Sequence, residues 1–598
     1  MNHFLSHFHW AGLLHKLWLT LATTLVTLMA CTTQTETPAT RTSTVDQDET
    51  RQGQQQAGPT AADAKTQMEE VTVTARKRSE GLREVPMAVS PRRMVESYDM
   101  AAGSVYPLNH LRMPSEPVNR ENYAHVDANP IQLVNENPVS TFSIDVDTGA
   151  YANVRRMLNQ GHLPPQDAVR IEEMINYFSY DYPAPRDAQT PFSINMEIAT
   201  TPWNPDTHLL QVGLKGFEVE AAERPAANLV FLMDVSGSMQ DADKLPLLKN
   251  AFRLLTKQLD AHDSVALVVY AGATGIVLQP TAGDQKATIL SALDQLTASG
   301  STNGAAGINL AYQMAEQAFI EGGINRVILA TDGDFNVGTV SFEALVDMVE
   351  ERRKKGISLT TLGFGTGNYN DHLMEQLADE GNGNYAYIDS INEARKVLVE
   401  ELSSTLQTIA KDVKIQIEFN PSVVAEYRLI GYENRMLRRE DFNNDRIDAG
   451  EIGAGHTVTA LYEISLVGSA GQRVDPLRYG QPESLTSNGA KTELAFVRLR
   501  YKQPDSDTSK LIEHALRRDE IVELDAASDE LQFSAAVAAF GQQLRGGEYL
   551  EDFSYSDIRD LALSGRADDR FGYRGEFISL VNLADSLTET DADQLAAR

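Results

Sequence analysis

Between residues 227 and 405, short apolar runs alternate with amphipathic helical segments, and this alternation restricts the architecture more than any other feature of the chain. NLVFLMD (228–234) is a continuous apolar run, as expected of a strand covered on both faces. The helical stretch KLPLLKNAFRLLTKQL (244–259) follows it. SVALVVYAG, KATILSALDQL and GAAGINLAYQMAEQAFI come next, then a second buried strand, RVILATD (326–332). The helix SFEALVDMVEERRKKG, the strand SLTTLGFG, the helix HLMEQLAD, the strand NYAYID (384–389) and the helix NEARKVLVEELSSTL complete the series. Strands that alternate with helices predict an α/β fold, a doubly wound, Rossmann-like parallel sheet. Ligands of such sheets bind at the carboxyl ends of the strands, near the point where strand order reverses.

Polar residues collect at those ends. Asp234-Val-Ser236-Gly-Ser238 closes the first strand, Gly300-Ser-Thr302-Asn-Gly304 opens a helix, and Thr331-Asp332-Gly333 closes the RVILATD strand. Two carboxylates and three hydroxyls are hard oxygen donors, suited to Mg²⁺, Mn²⁺ or Ca²⁺ rather than zinc or copper. The set resembles the metal-ion-dependent adhesion site (MIDAS) of von Willebrand factor type A domains, with all five positions filled: Asp234, Ser236, Ser238, Thr302 and Asp332. That resemblance implies direct ligation by Ser236, Ser238 and Thr302, with Asp234 and Asp332 acting largely through water. It also implies an open position that takes a carboxylate from a protein partner.

The resemblance extends over roughly residues 138 to 590, to a family of bacterial lipoproteins carrying an A domain. STFSIDVDTGAYANVRR, AVRIEEMINYF, DAGEIGAGHTVTALYEI and FGYRGEFISLVNLA carry it. The expected organisation is a signal peptide at 1–30, a tether at 31–130, an N-terminal family region of helices then strands at 131–226, the A domain at 227–405, and a C-terminal region of strands then helices at 406–598. FSINMEIAT (192–200), HLLQVGLKGFEV (208–219), VKIQIEFN (413–420), TVTALYEISLV (457–467) and ELAFVRLRYK (493–502) read as strands of a β-sandwich into which the A domain is inserted. Helices are expected around 529–547 and 554–565.

The apolar run Leu17–Met29 is too short to span a bilayer and suits a signal-peptide core. Leu28-Met29-Ala30-Cys31 ends it, and Cys31 is the chain's single cysteine, so no intramolecular disulfide forms. The arrangement resembles a lipobox, which implies acylation of Cys31 and a lipid-anchored protein of the cell envelope. Thr32 after the cysteine favours the outer membrane, facing the periplasm. The stretch after Cys31 has no hydrophobic periodicity and reads as a tether. Residues 68–90 resemble the start of TonB-dependent receptors, and EEVTVTA (69–75) is a candidate for weak contact with TonB by strand addition, although no barrel follows.

A formal charge of −32 disfavours nucleic acid as a partner. No His-Glu-x-x-His pair or Gly-x-Ser-x-Gly elbow occurs, so a hydrolase is not expected. Asp441-Phe-Asn443-Asn-Asp445 hints at a calcium loop, but Arg446 and Ile452 stand where an EF-hand needs Gly and Glu, which favours a polar turn. The turn Gly363-Phe-Gly365-Thr-Gly367 lacks phosphate-loop spacing. Asp145 and Asp147 are expected to pair with Arg155 or Arg156. The leading reading is a tethered, non-enzymatic binding module. An adaptor for a membrane-associated ATPase and a metal-dependent hydrolase are the alternatives.

Overall fold

The computed structural model describes residues 121–596, except Asp145, 186–189, 220–223, 301–303, 334–340, Asn368, Asp448 and 476–491. Cys31, residues 31–120 of the expected tether and the segment 68–90 lie outside the described residues, as does Thr302, whereas 121–130 of the expected tether are described and bonded to the body, with Glu121 on Arg156.

In chain order the first part comprises strand β1 (Val139–Ser143), helices α1 (Gly149–Asn159) and α2 (Ile171–Asn176), and the hairpin β2 (Phe192–Thr201) and β3 (Asn204–Gly216). The A-domain sheet then follows as β4 (Ala227–Asp234), β5 (Ser264–Tyr270), β6 (Thr274–Ala282), β7 (Ile324–Thr331), β8 (Ser358–Phe364) and β9 (Tyr385–Ile388). Its order is β9-β8-β7-β4-β5-β6, parallel except for the edge strand β6. Every residue of β4 is buried, and its side chains divide by the period of two. Leu229, Phe231 and Met233 face one core with α3 (Leu245–Gln258) and α4 (Lys286–Asp294). Val230 and Leu232 face the other core with α5 (Gly304–Gln317), α6 (Phe342–Arg353) and α7 (Asp371–Glu380). This is the doubly wound arrangement expected, and order reverses between β4 and β7. The chain leaves the sheet through α8 (Ile391–Arg395), a π turn at Lys396–Glu400 and α9 (Leu402–Leu406).

Strands β10 (Thr408–Phe419), β11 (Val424–Ile430), β12 (Thr457–Leu466), β13 (Glu493–Lys502) and β14 (Ser509–Arg517) return the chain to a β-sandwich. One sheet runs β11-β12-β3-β2 with a two-residue strand at each edge, and the other runs β10-β13-β14 with β1 paired to β10. Residues of both sheets, among them Leu210, Val212, Ile415, Ile417 and Val497, share one core. The A domain is therefore inserted between β3 and β10. Helices α10 (Asp529–Leu544), α11 (Tyr555–Ser564) and α12 (Tyr573–Ala596) join α1 and α2 in a fourth core. The Ala-rich face of α10 packs there with Leu209 and Leu461 of the six-stranded sheet. Strands β6, β11 and β14 and helix α12 were not expected from the sequence pattern.

The A domain is fastened to the rest through buried ions. Asp147 accepts from the Tyr385 backbone N–H at 2.8 Å, and Arg435 Nη2 lies 3.3 Å from its carboxylate. The arginine found beside Asp147 is thus Arg435 rather than Arg155 or Arg156, and Asp145 lies outside the described residues. Arg156 binds Glu121 at 2.9 Å instead. Arg155 forks onto Asp389 at 2.8 and 2.5 Å, binds Glu393 at 2.7 Å and reaches Glu576 at 3.1 Å. One guanidinium thus joins α1, the end of β9, α8 and α12. These partners are far apart in sequence, so no local spacing marks them.

Candidate functional site

The carboxyl ends of β4 and β7 sit side by side because the two strands pair in parallel through Met233 and Ala330. Asp234 is the last residue of β4 and is fully buried. Its Oδ1 accepts the Ser236 N–H at 2.8 Å, and its Oδ2 accepts the Thr331 hydroxyl at 3.1 Å. These bonds fix the carboxylate across the gap between the two strands. Burial, opposed in part by these bonds and reinforced by the nearby charge of Asp332, pushes Asp234 up to about 6. Ser236 and Ser238 follow on a tight turn whose hydroxyls lie 2.9 Å apart. Ser236 is buried while Ser238 is half-buried and Gly237 exposed, so the cluster has a closed floor and an open mouth.

The third loop is tied to the first by its backbone. Ser299 N–H donates to Val235 O at 2.7 Å and Gly237 N–H to Gly300 O at 3.0 Å. Gly300 has φ +89°, a left-handed turn open to glycine. Thr302 itself lies beyond the described residues of this loop, between Gly300 and the start of α5 at Gly304.

Asp332, fully buried, follows β7. The next residue, Gly333, takes φ +85°, and a Cβ there would lie 2.5 Å from Asn370 N, so the chain can turn only at a glycine. One partner of Asp332 was not anticipated from the sequence: Lys244 Nζ lies 2.9 Å from Asp332 Oδ2, and the lysine is itself buried. It stands just before α3, where the helical pattern gives no sign of its direction.

The structure thus brings Asp234, Ser236, Ser238 and Asp332 together on adjacent strand-end loops. The donor set is all oxygen and carries two carboxylates, which fits a hard divalent cation rather than a thiophilic one. Among the described residues, no group of three or more His, Cys, Asp or Glu side chains is placed to hold a metal. The loop at 441–445 illustrates the contrast. Lys414 Nζ donates to Asp441 O at 3.2 Å and Asn444 O at 2.7 Å, while Arg500 and Ser509 bind Asp445. Fixed cations already occupy the acceptors a calcium ion would need.

A family model for the von Willebrand factor type A domain matches residues 228–401, a model described as von Willebrand factor matches 117–211, and one for the C-terminal region of uncharacterized protein YfbK matches 404–587. The chain is 46% identical over 503 residues to YfbK of Escherichia coli (strain K12), covering 83% of this chain and 86% of that protein. This chain belongs to the YfbK family. A protein of Synechocystis sp., sll0103, is 29% identical over 167 residues, 28% of this chain and 39% of that protein. Among solved structures, the chain is similar to a von Willebrand factor type A protein from Catenulispora acidiphila, with 14% identity, 66% and 89% coverage of the two chains and a TM-score of 0.36. It is also similar to BatB from Bacteroides thetaiotaomicron, with 22% identity, 30% and 98% coverage and a TM-score of 0.26. A domains as a class serve protein–protein recognition, and this YfbK relative carries one inserted between two strands of its sandwich.

Proposed function

We propose that this protein is a binding protein of the bacterial cell envelope whose A domain engages a carboxylate on a protein partner through one divalent metal. Asp234, Ser236, Ser238, Thr302 and Asp332 would hold the ion, Mg²⁺ first, with Mn²⁺ or Ca²⁺ able to replace it. The observation that carries this reading is the convergence of Asp234, Ser236, Ser238 and Asp332 at the reversal point of the sheet, with a buried floor and a solvent-facing mouth. The ion would supply an electrophilic centre for the partner's carboxylate. The Ser236 N–H and the Thr331 hydroxyl would hold the Asp234 carboxylate in place for it. In this reading Cys31 is acylated and holds the body at the outer membrane, on the periplasmic side. Among the described residues no helix is long and apolar enough to cross a membrane.

The test is capture from envelope extracts with the full-length protein, its Asp234→Ala variant and its Cys31→Ser variant, each with Mg²⁺ and with EDTA. The expected outcome is a partner retained only by protein with Asp234 intact and Mg²⁺ present, and a Cys31→Ser protein released from membranes. A partner that survives both chelation and Asp234→Ala rules out the metal-dependent reading. Sedimentation of Cys31→Ser with membranes in high salt rules out the acyl anchor.

A further inference from the structure

Lys244 is built into the site rather than lying beside it. The residue is 5% exposed, and its Nζ is 2.9 Å from Asp332 Oδ2. Its aliphatic stem lies on Gly365, where a Cβ would fall 2.3 Å from both Lys244 Cε and Cγ, so only glycine leaves room for it. Gly365 has φ +73°, and its carbonyl accepts the Tyr387 hydroxyl at 2.5 Å. That hydroxyl is fixed in turn, because the Tyr387 ring is buried and carries the Arg156 guanidinium 5.4 Å from its centroid. A lysine held along its length by a glycine cradle, with its ammonium on a buried carboxylate, is a preorganised charge.

We propose that Lys244 is a resident counter-cation of the metal site, which weakens the site for a bare divalent ion and leaves the loaded site positively charged toward an anionic partner. This rests on the metal-dependent reading above. The charges give the reason. Asp234 and Asp332 contribute two negative charges when ionised, which a divalent ion alone would cancel. Lys244 adds one positive charge at contact distance from Asp332, so the loaded site carries a net positive charge and the ion feels its repulsion through a buried, weakly screened environment. A carboxylate that enters the mouth then restores neutrality. Metal and partner are therefore expected to bind cooperatively, each raising the affinity of the other by the same factor.

The test is calorimetric titration of Mg²⁺ alone into the metal-stripped protein, at one pH and low ionic strength, for wild type, Lys244→Met and Lys244→Gln. Met keeps the stem on Gly365 without the charge, and Gln keeps a donor for Asp332 and serves should Met not fold. Both variants are expected to bind Mg²⁺ about tenfold tighter than wild type or more. The metal-free melting temperature of each should fall, with a larger rise on adding Mg²⁺. Binding by a variant with no measurable binding by wild type supports the proposal equally. Wild type that binds Mg²⁺ with folded variants no tighter overturns the role of Lys244 and leaves the metal reading standing. No Mg²⁺ binding by any of the three proteins overturns both.

Discussion

Asp234, fully buried, and Asp389, half-buried, each stand at the carboxyl end of a strand in the same sheet, yet their surroundings are opposite in kind. Asp389 meets the Arg155 fork through two bonds, and the same guanidinium also binds Glu393 and Glu576. Asp234 meets a backbone N–H and a hydroxyl, with Asp332 near enough to oppose its ionisation. At the β9 end a rigid cation answers the carboxylates inside the fold, which fixes the A domain to the helical layer. At the β4 end uncharged donors answer the carboxylate, so its charge is costly and remains available to an ion from outside. The same sheet therefore carries a weld at one edge and a receptor near its centre.

The widest separation between the two should appear in stability. Arg155→Met leaves half-buried Asp389 and buried Glu393 without their guanidinium and is expected to cost about 3–5 kcal/mol, measured by urea denaturation. Asp234→Asn, made in metal-free buffer, is expected to cost little or to stabilise, because it removes a charge the fold resists. An Arg155→Met protein as stable as wild type would break the comparison at its weld.

Much of the sheet was legible because β4 and RVILATD are apolar runs too continuous for anything but covered strands, and each ends in Asp. The Asp-x-Ser-x-Ser turn and Asp332 could be located from that alone. Strand β11 (VAEYRLI) was hidden because Arg428 and Glu426 interrupt its apolar face. They are buried only because Arg428 finds Glu463 on β12 at 3.0 Å and Glu426 accepts the backbone N–H groups of Arg473 and Val474. Strand β14 (SKLIEHALR) carries a spacing that also suits a helix and is extended because β13 offers it an edge. The weld was illegible for a related reason. Arg155 and Asp389 are separated by more than two hundred residues, and no local spacing marks them as partners. Lys244 escaped notice because a lysine ahead of a helix reads as a solvated charge.

Metal binding sharpens the comparison on the receptor side. Asp234→Asn is expected to weaken Mg²⁺ binding about ten- to a hundredfold in calorimetry, since outer-shell carboxylates carry much of the affinity. An Arg155 variant conservative enough to fold, Arg155→Lys, should bind Mg²⁺ as wild type does. Equal loss in both variants would mean that the two ends of the sheet are one coupled structure.

The smallest and most specific effect is expected from pH. In the unfolded chain Asp234 titrates near its ordinary value of 3.8, whereas in the fold it titrates near 6 because burial opposes its charge. The folded state thus holds that proton more tightly. On this group's account the metal-free protein is most stable below about pH 4, and the contribution is lost as pH rises through 6. Metal binding runs the other way, because the carboxylate must be bare whether it meets the ion or the ion's water. Mg²⁺ affinity should therefore be level above about pH 7 and fall roughly tenfold for each unit below 6. The Arg155 guanidinium keeps its proton throughout the same range. Titrations at pH 7, 6 and 5 with parallel melts measure both. An affinity that stays flat from pH 7 to pH 5 would show that Asp234 is ionised by something stronger than a backbone N–H and a hydroxyl. The contrast drawn between the two ends of the sheet would then fail at its receptor.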